Sequence, residues 1–166
     1  KIDAKFIFVN SGFNLRPTDV VASIGNSQLK RLGKFIKIRD ENNLKIKNTL
    51  IKSKTWSNQF SFQKINSNVK ASLFGLPIFI HKRFLKKKKK FLKFLDNKGV
   101  ETRPIISGNF LNQPSTKLYK LNENNEKFPQ AQEVENLGFF IGLHTKKIKS
   151  ETLNKLVNLL LKINTI

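Results

Sequence analysis

No cysteine occurs in the 166 residues. Disulfides, thiolate metal sites and a cysteine nucleophile are therefore excluded within this window. Methionine is absent as well, and the sequence begins at Lys1, so the expectation is a chain without its initiator, a fragment or a processed product. Histidine is confined to His81 and His144, and carboxylates number 11. From so few groups no Ser-His-Asp set, no metal-spaced cluster and no carboxylate pair for acid–base work can be assembled. Gly-rich loops of dinucleotide or P-loop spacing are also missing. Nothing approaches the roughly 18 apolar residues of a membrane span. The longest apolar stretch, Ala71 to Ile80, is interrupted by Ser72, Gly75 and Pro77. The first residues lack the charged-then-apolar layout of a secretory leader.

What is abundant is positive charge. Lys and Arg total 32 against the 11 acids, a formal +21. Arg is found only at Arg16, Arg31, Arg39, Arg83 and Arg103, so the excess is lysine. Lys, Asn, Ile and Phe dominate together, and these share A/T-rich codons. A biased genome yields this pattern without selection for a polyanion partner. A dedicated nucleic-acid binder instead clusters Arg and aromatics on one face. A basic nucleic-acid-binding module remains the rival from another class. A coherent basic face would favour it, and lysines scattered over all exposed faces would count against it.

Along the chain, helical and extended patterns alternate, which argues α/β. At this length one folding unit is expected. Pro17, Thr18 and Asp19 open a helix carrying Val20, Val21 and Ile24. Leu29, Leu32 and Ile36 continue at helical spacing, and the pattern ends near Lys52. Extended segments are expected at Gln59–Lys64, Leu73–Ile80, Val100–Ile106 and Phe139–Leu143. Gly75 and Pro77 suggest that the second of these is an edge strand or carries a bulge. Phe84–Asn97 reads as a helix with Gly99 at its C-cap. Pro129 precedes a short helix over residues 130–137, and Leu153, Leu156, Val157, Leu160 and Leu161 mark a last amphipathic helix. The Lys86–Lys90 run spans about 500° of helix, so it cannot lie on one face. Lys88 falls in line with Phe84, Phe91 and Leu95 and is expected to snorkel past the core edge.

Three places offer binding chemistry. Asn14 and Arg16 precede a helix start, on one side of the chain if it is extended, and suit phosphate or carboxylate. Arg103 precedes Pro104, which favours an extended backbone there. Ser107, Gly108 and Asn109 follow, polar groups for sugar hydroxyls or phosphates beside a glycine that lets the backbone approach closely. His144 follows a strand, where α/β sites tend to lie. Each also has an ordinary reading, as an exposed loop pair, a simple turn and a surface histidine.

Two blocks in this order resemble a known family. The first is Gly12-Phe13-Asn14-Leu15-Arg16, with Asp19, Ala22, Gly25, Gln28-Leu29 and Leu32. The second is Gly99-Val100-Glu101-Thr102-Arg103-Pro104 running through Ser107-Gly108-Asn109-Phe110-Leu111-Asn112-Gln113-Pro114. They are similar to the second half of the vitamin-B6-dependent nucleotide-sugar aminotransferases of the DegT/StrS type, a family that includes sugar 3-dehydratases. Phe74-Gly75-Leu76-Pro77-Ile78 looks like that family's strand opening the small domain. The resemblance runs from about Asp3 to about Leu160. It implies the C-terminal part of a fold type I aminotransferase, with residues 1–54 ending the large domain and 55–166 forming a small α/β domain. It implies pyridoxal 5'-phosphate or pyridoxamine 5'-phosphate as cofactor, a nucleotide-linked sugar as substrate, a homodimer, and a cytoplasmic enzyme of surface-polysaccharide or deoxysugar synthesis. No metal, membrane or specific nucleic-acid partner is expected.

Residue by residue, the resemblance gives Asn14 and Arg16 contacts to the partner subunit's cofactor or substrate. It gives Arg103, Ser107 and Asn109 the nucleotide-sugar, with His144 near substrate. The expected reaction is amino transfer to a 4-keto-6-deoxyhexose. The alternative is 3-dehydration, to which Gly138-Phe139-Phe140-Ile141-Gly142-Leu143 and the Gly-Asn-x-x-x-Gln-Pro loop are similar. A Schiff-base Lys, or the His that replaces it in dehydratases, is expected upstream, as is any iron–sulfur segment. This chain by itself should do no chemistry.

Overall fold

Phe60, Leu76, Ile78, Ile80, Phe139 and Ile141 alternate with residues that face away, and none is more than 4% exposed. A period of two along each segment turns one apolar face of a sheet inward. The computed structural model, which describes residues 7, 9, 10, 12, 18–119 and 128–166, assembles these segments into a four-stranded antiparallel sheet. The strands are β1 (Phe60–Phe62), β2 (Gly75–Ile80), β3 (Thr102–Arg103) and β4 (Gly138–Gly142), in the order β1-β2-β4-β3. The helices are α1 (Asp19–Leu29), α2 (Leu32–Ile51), α3 (Lys88–Asn97), α4 (Pro114–Leu118), α5 (Pro129–Leu137) and α6 (Ser150–Leu161). The class is α/β, as the alternation indicates.

The inner face of the sheet packs against α2, α3 and α6. Ile46 and Leu50 come from α2, Phe91 and Leu95 from α3, and Val157, Leu160 and Leu161 from α6, all in one cluster. Phe91 sits between Phe60 at 6.1 Å and Phe139 at 6.2 Å, edge-on to the second. Such ring pairs add to the area term because ring edges and faces carry opposite partial charge. The second half of α2 thus shares the core of the sheet. By contrast α1, capped by Thr18 through a 3.4 Å bond from the Val21 N–H, contributes no buried residue.

Three sequence expectations change. β2 is a central strand, not an edge, with β1 and β4 on its two sides. Its proline is tolerated for a geometrical reason. The Leu143 N–H donates to the Phe74 carbonyl, and in an antiparallel ladder bonded pairs alternate. Pro77 therefore lies opposite Phe140 in a non-bonded position. Its nitrogen points toward β1, which has already ended at Phe62 opposite Ile78. The Phe84–Asn97 helix begins as a 3-10 turn over Lys82–Lys87 before α3. The tighter turn brings Arg83 and Lys87 to 4.7 and 5.9 Å of the Phe84 ring. The Val100–Ile106 strand shrinks to two residues. Pro104 has no N–H to extend the ladder, and the Gly108 N–H already closes a turn onto the Ile105 carbonyl.

Candidate functional site

The segment after β3 is built by its neighbours rather than by its own regularity. α3 is stopped two residues past its end by Gly99, φ +80°, with the Val100 N–H donating to the Leu95 carbonyl at 2.9 Å. A left-handed residue at this position is the usual glycine helix stop. The Asp96 carboxylate then accepts from both the N–H and the hydroxyl of Thr102. That fixes the entry of β3. Arg103 stands opposite Phe140 on β4, so it lies on the outer face of the sheet, away from the core. Its guanidinium donates twice to the Glu101 carboxylate, at 2.9 and 2.8 Å. Both side chains are more than half exposed, so the pair orients Arg103 and adds little stability.

Beyond Pro104 the chain folds onto α5. Gly108 has φ +66°, and a β-carbon there would come within 2.8 Å of the Glu135 side chain. Both the dihedral and the space require glycine. The Asn109 N–H donates to Glu135 Oε2 at 2.8 Å. Asn109 Nδ2 donates to Gln132 Oε1 at 3.1 Å, and its Oδ1 accepts from the Leu111 N–H at 3.2 Å. Asn112 Nδ2 donates at 2.9 Å both to Gln132 Oε1 and to Glu135 Oε2. Asn109 is only 1% exposed. Its side chain is occupied in holding the loop. Ser107, half-buried, stands at the bend itself.

The C-terminal end of α5 is held in turn by Lys88. Its Nζ donates to the carbonyls of Glu135, Asn136 and Gly138 at 3.0, 2.9 and 2.9 Å. These include acceptors that the helix leaves unpaired at its end. Lys88 does not reach to water past the core edge as the heptad-like spacing suggests; it turns inward and caps a helix. Burial lowers its pKa from 10.5 to about 8, against the nearby Glu135 carboxylate, which raises it.

The structure brings Arg103, Ser107 and Asn109 together on one connection and leaves His144 elsewhere. Glu135, beneath the loop, lies just before the start of β4, whereas His144 follows its end. Six residues from Gly138 at roughly 3.4 Å each separate the two ends by about 20 Å. His144 is exposed, and its Nδ1 accepts the Lys146 N–H at 3.0 Å. Its loop is tied to α2. Asn42 Nδ2 donates to the His144 and Lys146 carbonyls, Asn42 Oδ1 accepts from the Ile148 N–H, and Arg39 donates to the Leu143 carbonyl. Asn14 and Arg16 lie outside the described residues.

Gln132, Glu135 and Asn42 are the contributors that sequence reasoning missed. Gln132 and Glu135 are three apart and so share a helix face. That spacing was visible, but nothing marked the face as a dock for a loop some twenty residues earlier. Among the described residues no His/Cys/Asp/Glu group could hold a metal, and no helix is long and apolar enough to cross a membrane. An open groove of about 410 Å3 lies between α5 and the outer face of β1 and β2. Its floor is Phe79, Val134 and Leu137, and Lys82 pairs with Glu133 at 3.1 Å across its rim.

A small antiparallel sheet backed by helices, with its polar loop pinned beside β4, places the molecule among α/β folds that cover part of the fold type I aminotransferase architecture. The chain belongs to the DegT/DnrJ/EryC1/StrS aminotransferase family, whose profile matches residues 2–161. It is 30% identical over 161 residues to a GDP-4-keto-6-deoxy-D-mannose 3-dehydratase of Yersinia pseudotuberculosis, covering 96% of this chain and 39% of that protein. It is 27% identical over 142 residues to the lipopolysaccharide biosynthesis protein RfbH of Salmonella typhimurium, with 86% and 32% covered. Among solved structures, an E. coli GDP-4-keto-6-deoxy-D-mannose-3-dehydratase with bound hydrated PLP superposes with TM-score 0.68 at 28% identity, over 94% of this chain and 38% of the other. The Helicobacter pylori aminotransferase PseC superposes at 0.72 with 20% identity over 93% and 40%, a likeness of fold. The chain therefore spans under two-fifths of the length of the curated relatives it matches.

Proposed function

We propose that this chain is part of an enzyme that removes the 3-hydroxyl of a GDP-linked 4-keto-6-deoxyhexose, a cytoplasmic step in building a surface polysaccharide. The observation that carries this is a difference in identity. Relatives described as 3-dehydratases or as RfbH stand at 27–30%, whereas the sugar aminotransferase structures stand at 16–20%. The second reading is amino transfer to the same class of 4-keto sugar, favoured by the family profile itself.

The cofactor on this reading is pyridoxal 5'-phosphate or pyridoxamine 5'-phosphate, which supplies the electron sink for either reaction. The described residues do not by themselves form a cradle for it. The groove between α5 and β1–β2 has an apolar floor, and the lysine at its rim, Lys82, is already paired with Glu133, poor chemistry for a phosphate. Asn14 and Arg16 are the residues proposed to reach the cofactor or substrate of a partner subunit, within a homodimer. Residues 1–54 belong on this view with the large domain and 55–166 with the small one. The exposed α1 is consistent with that division, whereas the second half of α2 packs into the core of the small domain.

Arg103 and Ser107 are proposed to face the nucleotide-sugar. A guanidinium held extended by Glu101 can donate a forked pair to a phosphate, and the Ser107 hydroxyl can pair with a sugar hydroxyl. Asn109 serves them indirectly by fixing the loop. His144, at the far end of β4, is a substrate contact only for another part of the ligand.

The complete enzyme, loaded with cofactor and given GDP-4-keto-6-deoxymannose with glutamate, tests the choice. Mass spectrometry should show a sugar that has lost its 3-hydroxyl oxygen. A 4-amino sugar as the main product would establish the second reading instead.

A further inference from the structure

We infer that Glu135 and Gln132 of α5 are positioning residues for the nucleotide-sugar, acting through the 107–113 loop. This rests on the reading that Arg103 and Ser107 meet that ligand. In this lysine-rich chain with only 11 acids, one half-buried carboxylate accepts hydrogen bonds from a loop, with the Lys88 ammonium close enough to feel its charge. A single oxygen, Glu135 Oε2, accepts both the Asn109 N–H at 2.8 Å and Asn112 Nδ2 at 2.9 Å. Gln132 Oε1 accepts from Asn109 Nδ2 and Asn112 Nδ2 at 3.1 and 2.9 Å. Two acceptors on adjacent turns of one helix thus receive donors from both ends of a four-residue stretch. A charge-assisted bond to a carboxylate is about twice as strong as a neutral one.

The stretch they grip begins at Asn109, two residues after Ser107. Gly108 packs so closely on Glu135 that a β-carbon would stand 2.8 Å from it. The loop backbone is therefore in close contact with α5 at Gly108. The other end of the grip is anchored too, because Lys88 fixes the carbonyls of Glu135, Asn136 and Gly138 at the α5–β4 junction. The direction of Ser107, and of the chain leaving Arg103, is thereby set from the helix beneath rather than by contacts of its own. Neither Glu135 nor Gln132 needs to touch the ligand. Polar contacts preset before binding spare the ligand the cost of ordering them.

The role differs from plain fold support in what it should change. Contacts made equally to substrate and transition state alter KM and leave kcat near its value. In the complete enzyme, Glu135→Ala should raise KM for the nucleotide-sugar about tenfold or more, with kcat changed less than about threefold. Glu135→Gln keeps an oxygen acceptor at the same place and should restore KM to within about threefold of the parent. Asn112→Ala removes two donors from the same grip without touching α5 and should raise KM as well.

An unchanged KM in Glu135→Ala, or a fall in kcat without a KM effect, overturns the inference. Should Glu135→Ala fail to fold, Asn112→Ala decides: a raised KM supports the positioning role and an unchanged one ends it. Calorimetric binding of GDP-, UDP- and dTDP-linked sugars to the parent enzyme separates the two levels. If none binds and none is turned over, the function reading and this inference fall together. Turnover with KM unmoved by the variants removes the inference alone.

Discussion

At Lys88 a half-buried ammonium meets three backbone carbonyls, and desolvation lowers its pKa to about 8. The consequence for stability follows from which state holds the proton. Between about 8 and the ordinary 10.5, the unfolded chain keeps a proton on Lys88 that the folded chain has released. Stability therefore rises with pH across that window, and below it this group contributes no slope. Lys88→Met removes the titration and leaves the three carbonyls without their donor, a loss of about 1–3 kcal/mol. Urea unfolding at a series of pH values should show a parent-minus-variant difference that is flat below about 8 and grows in favour of the parent above it. A difference flat through pH 10 would mean that Lys88 titrates at its ordinary value.

Elements with strong periodicity were legible, and those fixed by a neighbour were not. α6, β4 and the second half of α3 follow directly from apolar spacing, because each buries one continuous stripe. The end of α3 was legible from Gly99. α4 and the 3-10 turn over Phe110–Asn112 were not, since residues 109–118 have no apolar period and take their shape from α5 and from Thr116. The Thr116 hydroxyl donates to the Leu111 and Gln113 carbonyls. The fading pattern over Asp40–Asn43 has a similar cause. Asn42, 3% exposed, is inside because it binds the 144–148 loop, an attraction that hydrophobic spacing cannot register. The centrality of β2 was hidden for the opposite reason. Pro77 is a sound edge signal in isolation, and only the early end of β1 makes it harmless. The same stripe on α3 sets the expected cost of truncation. Phe91→Ala, at a site with 0% exposure between two rings, should lower stability by about 3–5 kcal/mol. Lys89→Ala and Lys90→Ala, both exposed, should stay within about 0.5 kcal/mol. Equal losses at all three positions in denaturant titrations would mean that α3 is not packed as described.

Over the whole molecule the charge of the described residues is spread, with a local concentration near α3. Exposed lysines occur on α2 at Lys34, Lys37 and Lys45, beside α6 at Lys146, Lys147 and Lys149, and around α3. On α3, Lys93 follows Lys89 by four and Lys90 by three residues, so these exposed lysines share one side of the helix, with Lys86 on the preceding 3-10 turn. That stripe carries no aromatic platform. Phe84 and Phe91 are buried in the core and Phe94 is packed partly buried against it, so none of the α3 rings is an exposed face on which bases could stack. Lysines without stacking or forked Arg contacts give attraction through counterion release alone, which carries no sequence information. A net +21 should therefore bind a DNA duplex at low salt. That binding should weaken by orders of magnitude between about 50 and 200 mM salt and be the same for unrelated sequences. Replacing Lys86, Lys89, Lys90 and Lys93 together by Ala should flatten the salt slope in proportion to the number of phosphates these side chains neutralise. Fluorescence anisotropy with two unrelated duplexes across a salt series measures this. Submicromolar, sequence-selective binding at physiological salt would instead make the α3 stripe a true nucleic-acid site and would promote the rival reading of this basic chain.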